Sequence, residues 1–172
     1  MQSPSRGFPP IAAPDARLLV LGSLPGQVSL AQRQYYAQPR NAFWRIMGEL
    51  FGAGPDVPYA ERAERLRGSR IALWDVCKAA TRPGSLDAAI ELATVVTNDF
   101  ARFFRDHPQI EHVCANGATA RRLYLQRVRP ALPAHLQALP VHVLPSTSPA
   151  HASRCYEQKL ERWRLLEHLL AQ

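Results

Sequence analysis

Residues 18–26 have the sequence Leu18-Leu19-Val20-Leu21-Gly22-Ser23-Leu24-Pro25-Gly26, in which four apolar residues run into a turn bounded by two glycines. An apolar run of this length that ends in turn residues predicts a buried β-strand. A polar connection follows, and residues 35–44 then bring together two tyrosines, two amide side chains, a cation, a phenylalanine and a tryptophan. Because ligands of open parallel sheets bind beyond the carboxyl ends of the strands, we expect a functional site where this strand ends.

Four short runs of β-forming residues are each followed by turn residues and a helical pattern. They occupy residues 17–21, 71–76, 112–115 and 141–144. Strands that alternate with helices pair in parallel, with the helices covering both faces of the sheet. The sequence therefore predicts an α/β fold, a three-layer α/β/α sandwich with a central, mainly parallel four-stranded sheet.

The helices are predicted from apolar residues at helical spacing. They are a helix that begins within the 39–44 motif and stops at Gly52, a short charged helix at 59–66, a helix capped by Thr97 or Asn98 that carries three phenylalanines, a helix that Asn116-Gly117 opens, and a last helix at 152–170. Residues 52–58 and 129–140 are predicted to be loops, since both are rich in proline, glycine or alanine.

The composition indicates one domain, residues 1–172, with a proline-rich N-terminal segment at residues 1–15. Apolar residues make up 47% of the 172, which is enough for a core without disulfides or metal. The net charge is +7, and 19 of the 21 basic residues are arginine, the side chain suited to forked contacts with phosphate. A nucleic-acid partner and an arginine-rich but merely solvated surface explain this charge equally well.

The three cysteines, Cys77, Cys114 and Cys155, are far apart and form no paired motif. They indicate neither a disulfide framework nor a metal centre, and a reducing cytoplasm fits them best. No leader segment and no stretch long enough to cross a bilayer is apparent, so we expect a soluble cytoplasmic protein that has no membrane partner. The histidines lack metal-ligand spacing, and no metal site is predicted.

Three of the predicted strands end in unusual residues, at 22–26, 74–76 and 144–151. The ends of parallel strands share one edge of the sheet, so these loops could line one cleft. Taken singly, each has an ordinary explanation as a turn, a helix cap or core packing. The first loop has neither the Gly-Lys-Ser/Thr of a P-loop nor the spacing of a dinucleotide fingerprint, which disfavours both kinds of site.

Several motifs in order resemble those of the uracil-DNA glycosylase superfamily, most closely its DNA-deoxyinosine (hypoxanthine-DNA) glycosylase branch. They are Gly7-Phe8-Pro9-Pro10, Gly22-Ser23-Leu24-Pro25-Gly26, Tyr35-Tyr36-Ala37-Gln38-Pro39-Arg40-Asn41-x-Phe43-Trp44, Ala72-Leu73-Trp74-Asp75-Val76, Arg82-x-Gly84-Ser85-Leu86-Asp87, Asn116-Gly117-x-x-Ala120 and Leu144-Pro145-Ser146-Thr147-Ser148-Pro149-Ala150. The resemblance covers nearly the whole chain. It implies a DNA glycosylase that hydrolyses the N-glycosidic bond of deaminated bases without a cofactor, hypoxanthine first and uracil second.

The resemblance also assigns roles in catalysis and base recognition. Asn41 would hold the attacking water. Many members of the superfamily use an Asn or Asp at the position of Ser23 for this task, whereas the deoxyinosine branch uses the amide that is Asn41 here. Ser23 is the second candidate catalytic residue beside Asn41, and together with Asp75 it would shape recognition. Tyr36 would stack on the everted base. The alternative for Asn41 is that it only supports the first turn of the following helix. The alternative for Asp75, which has equal weight, is a structural carboxylate bonded to loop amides.

The other site residues follow from the same motifs. Base contacts are expected from Gly22, Leu24, Pro25, Ser146 and Ser148, and DNA contacts from Arg40, Thr147, Pro149, His151 and Arg154. The hydroxyls of the 146–149 segment and the N-terminus of a following helix suit phosphate. A surface histidine that caps the last helix is the alternative for His151.

Two positions depart from the motifs. Ser146 stands where the uracil-specific branch has histidine. Without that histidine a departing uracil anion is stabilised less, which favours a purine that leaves as a neutral molecule. Gln38 stands where histidine is expected, which alters the fine geometry of the pocket.

Neither of the two lysines, Lys78 and Lys159, falls in a motif position, so a monofunctional hydrolase without lyase activity is expected. A monomer acting on DNA that contains a deaminated base is the predicted form. Two other functions remain open. One is a non-catalytic reader of damaged bases on the same fold, and the other is a hydrolase of nucleosides or nucleotides.

Overall fold

The computed structural model describes residues 2–172 of the chain. Its strands are β1 (Ser5–Arg6), β2 (Leu18–Gly22), β3 (Ile71–Asp75), β4 (Cys77–Ala80), β5 (Val96–Thr97), β6 (His112–Asn116) and β7 (Val141–Leu144). Four of these form a parallel sheet in the order β3-β2-β6-β7, as the sequence predicts. The strand order reverses between β3 and β6 around the central β2, which is where open sheets of this kind leave a crevice.

The register of the sheet aligns the strand ends that carry the motifs. Gly22, the last residue of β2, lies opposite Asp75, the last residue of β3. On the other side of β2, Asn116 ends β6 opposite Leu144 at the end of β7. The loops that follow β2, β3, β6 and β7 therefore leave the sheet at one edge.

Alternate residues of the buried strands feed two cores, one on each face of the sheet. Leu19 and Leu21 of β2 pack with the phenylalanines of the 100–106 segment, while Leu18 and Val20 pack with Phe43 and its neighbours. Full burial of one such leucine contributes about 2 kcal/mol. Helices cover both faces, so the predicted three-layer α/β/α arrangement is confirmed.

The helices are α1 (Gln27–Gln32), α2 (Phe43–Phe51), α3 (Tyr59–Gly68), α4 (Phe100–Asp106), α5 (Ala118–Leu123), α6 (Ala134–Gln137), α7 (Tyr156–Trp163) and α8 (Leu165–Leu170). A π-helical turn, Tyr124–Val128, continues α5, and a 3₁₀ turn precedes α6. Within residues 2–172, no helix combines the length and the apolar character needed to cross a membrane.

Several predicted boundaries were wrong. The cap of α4 is Asp99, whose carboxylate accepts from the backbone N–H of Arg102 at 3.0 Å, and not Thr97 or Asn98. The last helix begins at Tyr156 instead of residue 152, because Cys155 and Gln158 form a capping box there. It is also interrupted at Arg164, so that α7 and α8 are separate, and the predicted loop at 129–140 contains α6.

The proline-rich N-terminal segment packs on the fold. Its strand β1 pairs antiparallel with β4, which in turn pairs with β5, in a small second sheet that the sequence patterns did not predict. Ile11 forms a bridge with Leu73 of β3, and the Phe8 carbonyl accepts from the Trp74 indole N–H at 3.0 Å. The segment thus lies against the strand that delivers Asp75.

Candidate active site

A cleft of about 930 Å³ opens at the carboxyl edge of the parallel sheet. Every residue that the sequence analysis placed in the site lines it. These residues are Gly22, Ser23, Leu24, Pro25, Tyr36, Arg40, Asn41, Asp75, Ser146, Thr147, Ser148, Pro149, His151 and Arg154. Loops that lie far apart along the chain meet here because the strands that carry them end together.

Gly22 allows two polar side chains to meet at the floor of the cleft. A Cβ atom at this position would lie 2.8 Å from the Tyr36 hydroxyl oxygen and closer still to Oδ1 of Asp75. Any other residue would push one or both of these side chains away. The glycine is therefore required by close approach, because Tyr36 and Asp75 both pack against its backbone.

Asp75 is a buried carboxyl group, with 4% of the residue exposed. Its Oδ2 atom is fully buried and has no hydrogen-bond partner within residues 2–172, unlike a carboxylate held by loop amides. Burial, helped by the negative charge of Asp87 and opposed by Arg82, raises the pKa of Asp75 to about 7. Near neutral pH the group can therefore either donate or accept a proton inside the cleft.

Tyr36 presents an aromatic ring to the cleft from an unusual backbone conformation. Its φ angle is +52°, in the left-handed region that costs a non-glycine residue about 1–2 kcal/mol. The ring stacks on Phe43 with centroids 4.2 Å apart. The hydroxyl is buried and forms no hydrogen bond of ordinary geometry among the described residues. Burial and the charge of Asp75 raise the pKa of Tyr36, and the nearby Asn116 amide opposes that rise. The neighbouring Tyr35 instead donates to the Pro9 carbonyl at 2.7 Å.

Asn41 supports the helix that follows it and also lines the cleft. Its Oδ1 accepts from the backbone N–H of Phe43 at 2.9 Å, as the structural alternative anticipated. A carbonyl oxygen has two lone pairs, and this hydrogen bond uses one of them. The bond fixes the rotamer of the carboxamide, which leaves acceptor capacity for a water molecule.

Ser23 belongs to a hydrogen-bonded network that the sequence analysis did not resolve. Its hydroxyl donates to Oδ1 of Asp87 at 2.6 Å, and Nη1 of Arg82 lies 3.4 Å from the same oxygen. The Arg82 guanidinium is buried and also donates to the carbonyls of Leu24 and Pro25. The network holds the 22–26 loop in place, and the Ser23 proton is engaged with Asp87.

Arg82 and Asp87 were missed as functional residues although both belong to a motif quoted for the resemblance. Burial lowers the pKa of Arg82, while the charges of Asp87 and Asp75 oppose that change. The positive charge of Arg82 in turn favours the ionised forms of nearby carboxyls, and it opposes the rise in the pKa of Asp75. The charge pattern of the 82–87 segment was the signal that could have identified them.

Thr147 lies inside the protein, with 1% of the residue exposed, and so differs from the DNA contact that was predicted. Its backbone N–H donates to Oδ1 of Asn116 at 3.0 Å, and its Oγ1 accepts from Nδ2 of the same amide at 2.9 Å. Its carbonyl accepts from the backbone N–H of Ala42 at 3.0 Å. Asn116, also missed, thus links the end of β6 to the 146–149 loop, and Thr147 links that loop to the start of α2.

The helix N-terminus that was expected after Pro149 is absent, since turns follow and α7 begins only at Tyr156. His151 therefore does not cap that helix, and its Nε2 lies 3.2 Å from the Ser153 hydroxyl. Arg40 and Arg154 are exposed where they line the cleft. The positive charge at the rim comes from side chains rather than from a helix end.

Comparisons with known proteins agree on one family. The family model described as the uracil DNA glycosylase superfamily matches residues 9–170. A protein of Methanosarcina acetivorans named hypoxanthine DNA glycosylase is 39% identical over 116 residues, which make up 67% of this chain and 72% of that protein. A protein of the same name from Methanosarcina barkeri is 39% identical over 113 residues, covering 65% and 70% of the two chains.

A solved structure gives the same result for the fold. The solution NMR structure of a candidate uracil DNA glycosylase from Methanosarcina acetivorans matches with a TM-score of 0.76 and 33% identity. The match covers 97% of this chain and 99% of that one. The resemblance drawn from the motifs is thereby confirmed: this chain belongs to the uracil DNA glycosylase superfamily.

Proposed function

We propose that this chain is a monofunctional DNA glycosylase that removes deaminated bases from DNA, hypoxanthine first and uracil second. The names of its relatives support hypoxanthine. The observation that carries the proposal is the buried carboxyl of Asp75 at the floor of the cleft beside Tyr36, whose Oδ2 atom has no hydrogen-bond partner among residues 2–172. A buried polar atom without a partner is costly, and the edge of an everted base would supply that partner.

Tyr36 and Asp75 suit the two faces of base recognition. An everted base loses stacking worth a few kcal/mol, and the Tyr36 ring, itself backed by Phe43, restores part of it. Hypoxanthine offers both ring N–H and ring nitrogen acceptors to a carboxyl group that can donate or accept near neutral pH. A purine protonated on a ring nitrogen leaves as a neutral molecule, which lowers the barrier to bond cleavage.

The reaction balances with these groups. The proton of Asp75 passes to a ring nitrogen, the electron pair of the C1′–N9 bond goes to the base, and positive charge develops on the sugar. A water molecule held by Asn41 adds its oxygen to C1′ and releases a proton to solvent. Because this scheme needs protonated Asp75, the single-turnover rate on hypoxanthine is expected to fall above about pH 7.

The remaining cleft residues serve DNA binding in this proposal. Exposed Arg40 and Arg154 would neutralise phosphates, so that affinity falls steeply with salt. Neither Lys78 nor Lys159 lines the cleft, which supports hydrolysis without a Schiff base and hence without lyase activity. A monomeric protein in the cytoplasm is part of the same proposal, and its three cysteines are free thiols.

The proposal is tested with duplexes that carry hypoxanthine, uracil, xanthine or mismatched thymine, treated with alkali to reveal abasic sites. Alkali-dependent cleavage is expected, strongest at hypoxanthine. Asn41→Ala is expected to lower the single-turnover rate by about 10²-fold, since it removes the group that positions water. Asn41→Ser is the matched control for folding, because a serine hydroxyl can still accept from the N–H of Phe43.

Three outcomes would overturn parts of the proposal. Full activity in Asn41→Ala would remove this residue from its role. Tight binding of hypoxanthine DNA without turnover would indicate a damaged-base reader. Cleavage of free deoxyinosine but not of DNA would indicate a nucleoside hydrolase.

A further inference from the structure

A second cavity of about 320 Å³ adjoins the cleft. It is lined by Pro39, Arg40, Asn41, Ala42, Arg45, Pro55, Thr147, Tyr156 and Lys159. Arg40, Asn41 and Thr147 line both spaces. The second cavity therefore begins at the amide that we assign to water positioning, and it extends toward α7.

Lys159 of α7 is the unusual residue of this cavity. Only 6% of it is exposed, and its Nζ lies 3.3 Å from a single acceptor, the Ser148 carbonyl. Within residues 2–172, no carboxylate forms an ion pair with it, whereas the other buried cation, Arg82, lies beside Asp87. Burial lowers the pKa of Lys159, and no opposing charge raises it. A buried ammonium group without a counter-ion is costly unless an anion binds there.

The surroundings of Lys159 are cationic on balance. Arg40 is exposed at the mouth shared with the cleft, and the guanidinium of Arg45 lies 3.6 Å from the centre of the Tyr156 ring. Two exposed carboxylates face this ring and Arg45 from outside, Glu49 on α2 and Glu157 on α7. Neither of them lines the cavity.

We propose that this second cavity binds one phosphodiester of the DNA strand, next to the everted nucleotide, with Lys159 as its main ligand. The inference rests on the proposed action on DNA. Lysine binds phosphate as a compact charge with three donors, and a phosphate oxygen would complete the hydrogen bonds that the Ser148 carbonyl leaves unmade. Through Asn41, which lines both spaces, the bound phosphate would fix the register of the deoxyribose against the water-positioning amide.

The test compares Lys159→Met with Lys78→Met, which removes the same charge from an exposed position on β4. Binding is measured by fluorescence anisotropy on a duplex that contains an abasic-site analogue, over a range of salt concentrations. Lys159→Met is expected to bind about tenfold or more weakly and to lower the slope of log K against log salt by about one. Lys78→Met is expected to keep the wild-type slope.

A neutral methylphosphonate, placed at each linkage around the abasic analogue in turn, identifies the phosphate. In the wild type, methylphosphonate at one linkage next to the lesion is expected to weaken binding. In Lys159→Met, methylphosphonate at the same linkage is expected to have no further effect. Inorganic phosphate is the second probe. If it competes with the duplex at low concentration, and no linkage responds to methylphosphonate, the cavity is a site for the free ion and the proposal is overturned.

The assay does not depend on turnover, so it separates this inference from the proposed activity. Lys159→Met is expected to fold, because a methionine of similar length replaces a buried charge. Lys159→Arg, which keeps the charge, is expected to recover most of the salt slope. Equal slopes in Lys159→Met and the wild type, or equal methylphosphonate penalties in both, would refute the phosphate site.

Discussion

Replacement of Asp75 by asparagine is expected to change how stability depends on pH. In the folded protein the pKa of this carboxyl is raised from its ordinary value of 3.8 to about 7, mainly by burial and then by the charge of Asp87. Well below the ordinary pKa of 3.8, the carboxyl is protonated in the folded and the unfolded chain alike. Above that pH the unfolded carboxyl ionises first, so rising pH favours unfolding until the folded group also ionises near pH 7.

The size of the effect follows from the two pKa values. The difference between 3.8 and about 7 corresponds to ~4 kcal/mol of unfolding free energy, lost progressively as pH rises between them. Asparagine stays neutral throughout, so its variant lacks this loss. The change in unfolding free energy between about pH 4 and about pH 8 is therefore the quantity to compare. Over this range the wild type should lose up to ~4 kcal/mol more than Asp75→Asn.

The measurement is urea unfolding of both proteins at several pH values between about 4 and 8, with the free energies compared by linear extrapolation. Asp106→Asn is the matched control, because it makes the same substitution at an exposed position at the end of α4. The control is expected to follow the wild type. Parallel stability curves for Asp75→Asn and the wild type would refute the buried, proton-binding state assigned to Asp75.

Substitutions at two further positions, Gly22 and Tyr36, test the floor of the cleft. Gly22→Ala is expected to destabilise the protein by about 1–3 kcal/mol and to abolish excision, because its Cβ would displace the Tyr36 hydroxyl and the Asp75 carboxyl. Urea unfolding measures the stability and the glycosylase assay measures the excision. A stable, active variant would contradict the close approach of these two side chains to Gly22. Tyr36→Phe is expected to retain excision and to raise the free energy of unfolding by about 1 kcal/mol, since it removes a buried hydroxyl that forms no hydrogen bond. Tyr36→Ala should lose affinity for hypoxanthine DNA, because it removes the aromatic ring. Wild-type activity in the alanine variant would exclude stacking of the base on Tyr36.

The sequence predicted the elements whose signals are local and repeated. The β2 run and its glycine-bounded exit were apparent from a few neighbouring residues, and so was the helix from Phe43 to the stop at Gly52. Boundaries that depend on competing local partners were missed. Asp99 caps α4 in place of the two residues before it, and the Cys155 capping box shortens the last helix. The β1-β4-β5 sheet was missed because its strands are two to four residues long and pair across the fold.

What the sequence determined by itself was the family and many of the residues around the cleft, because motif order and residue type are properties of the chain. The tertiary structure decided what each of these residues can do. Oδ1 of Asn41 accepts a hydrogen bond from the first turn of α2, and Thr147 is buried and hydrogen-bonded to the amide of Asn116. Lys159, which belongs to no motif, lines the second cavity beside the cleft. Burial, unpaired charge and close approach depend on residues that meet only when the chain folds, and no local pattern records them.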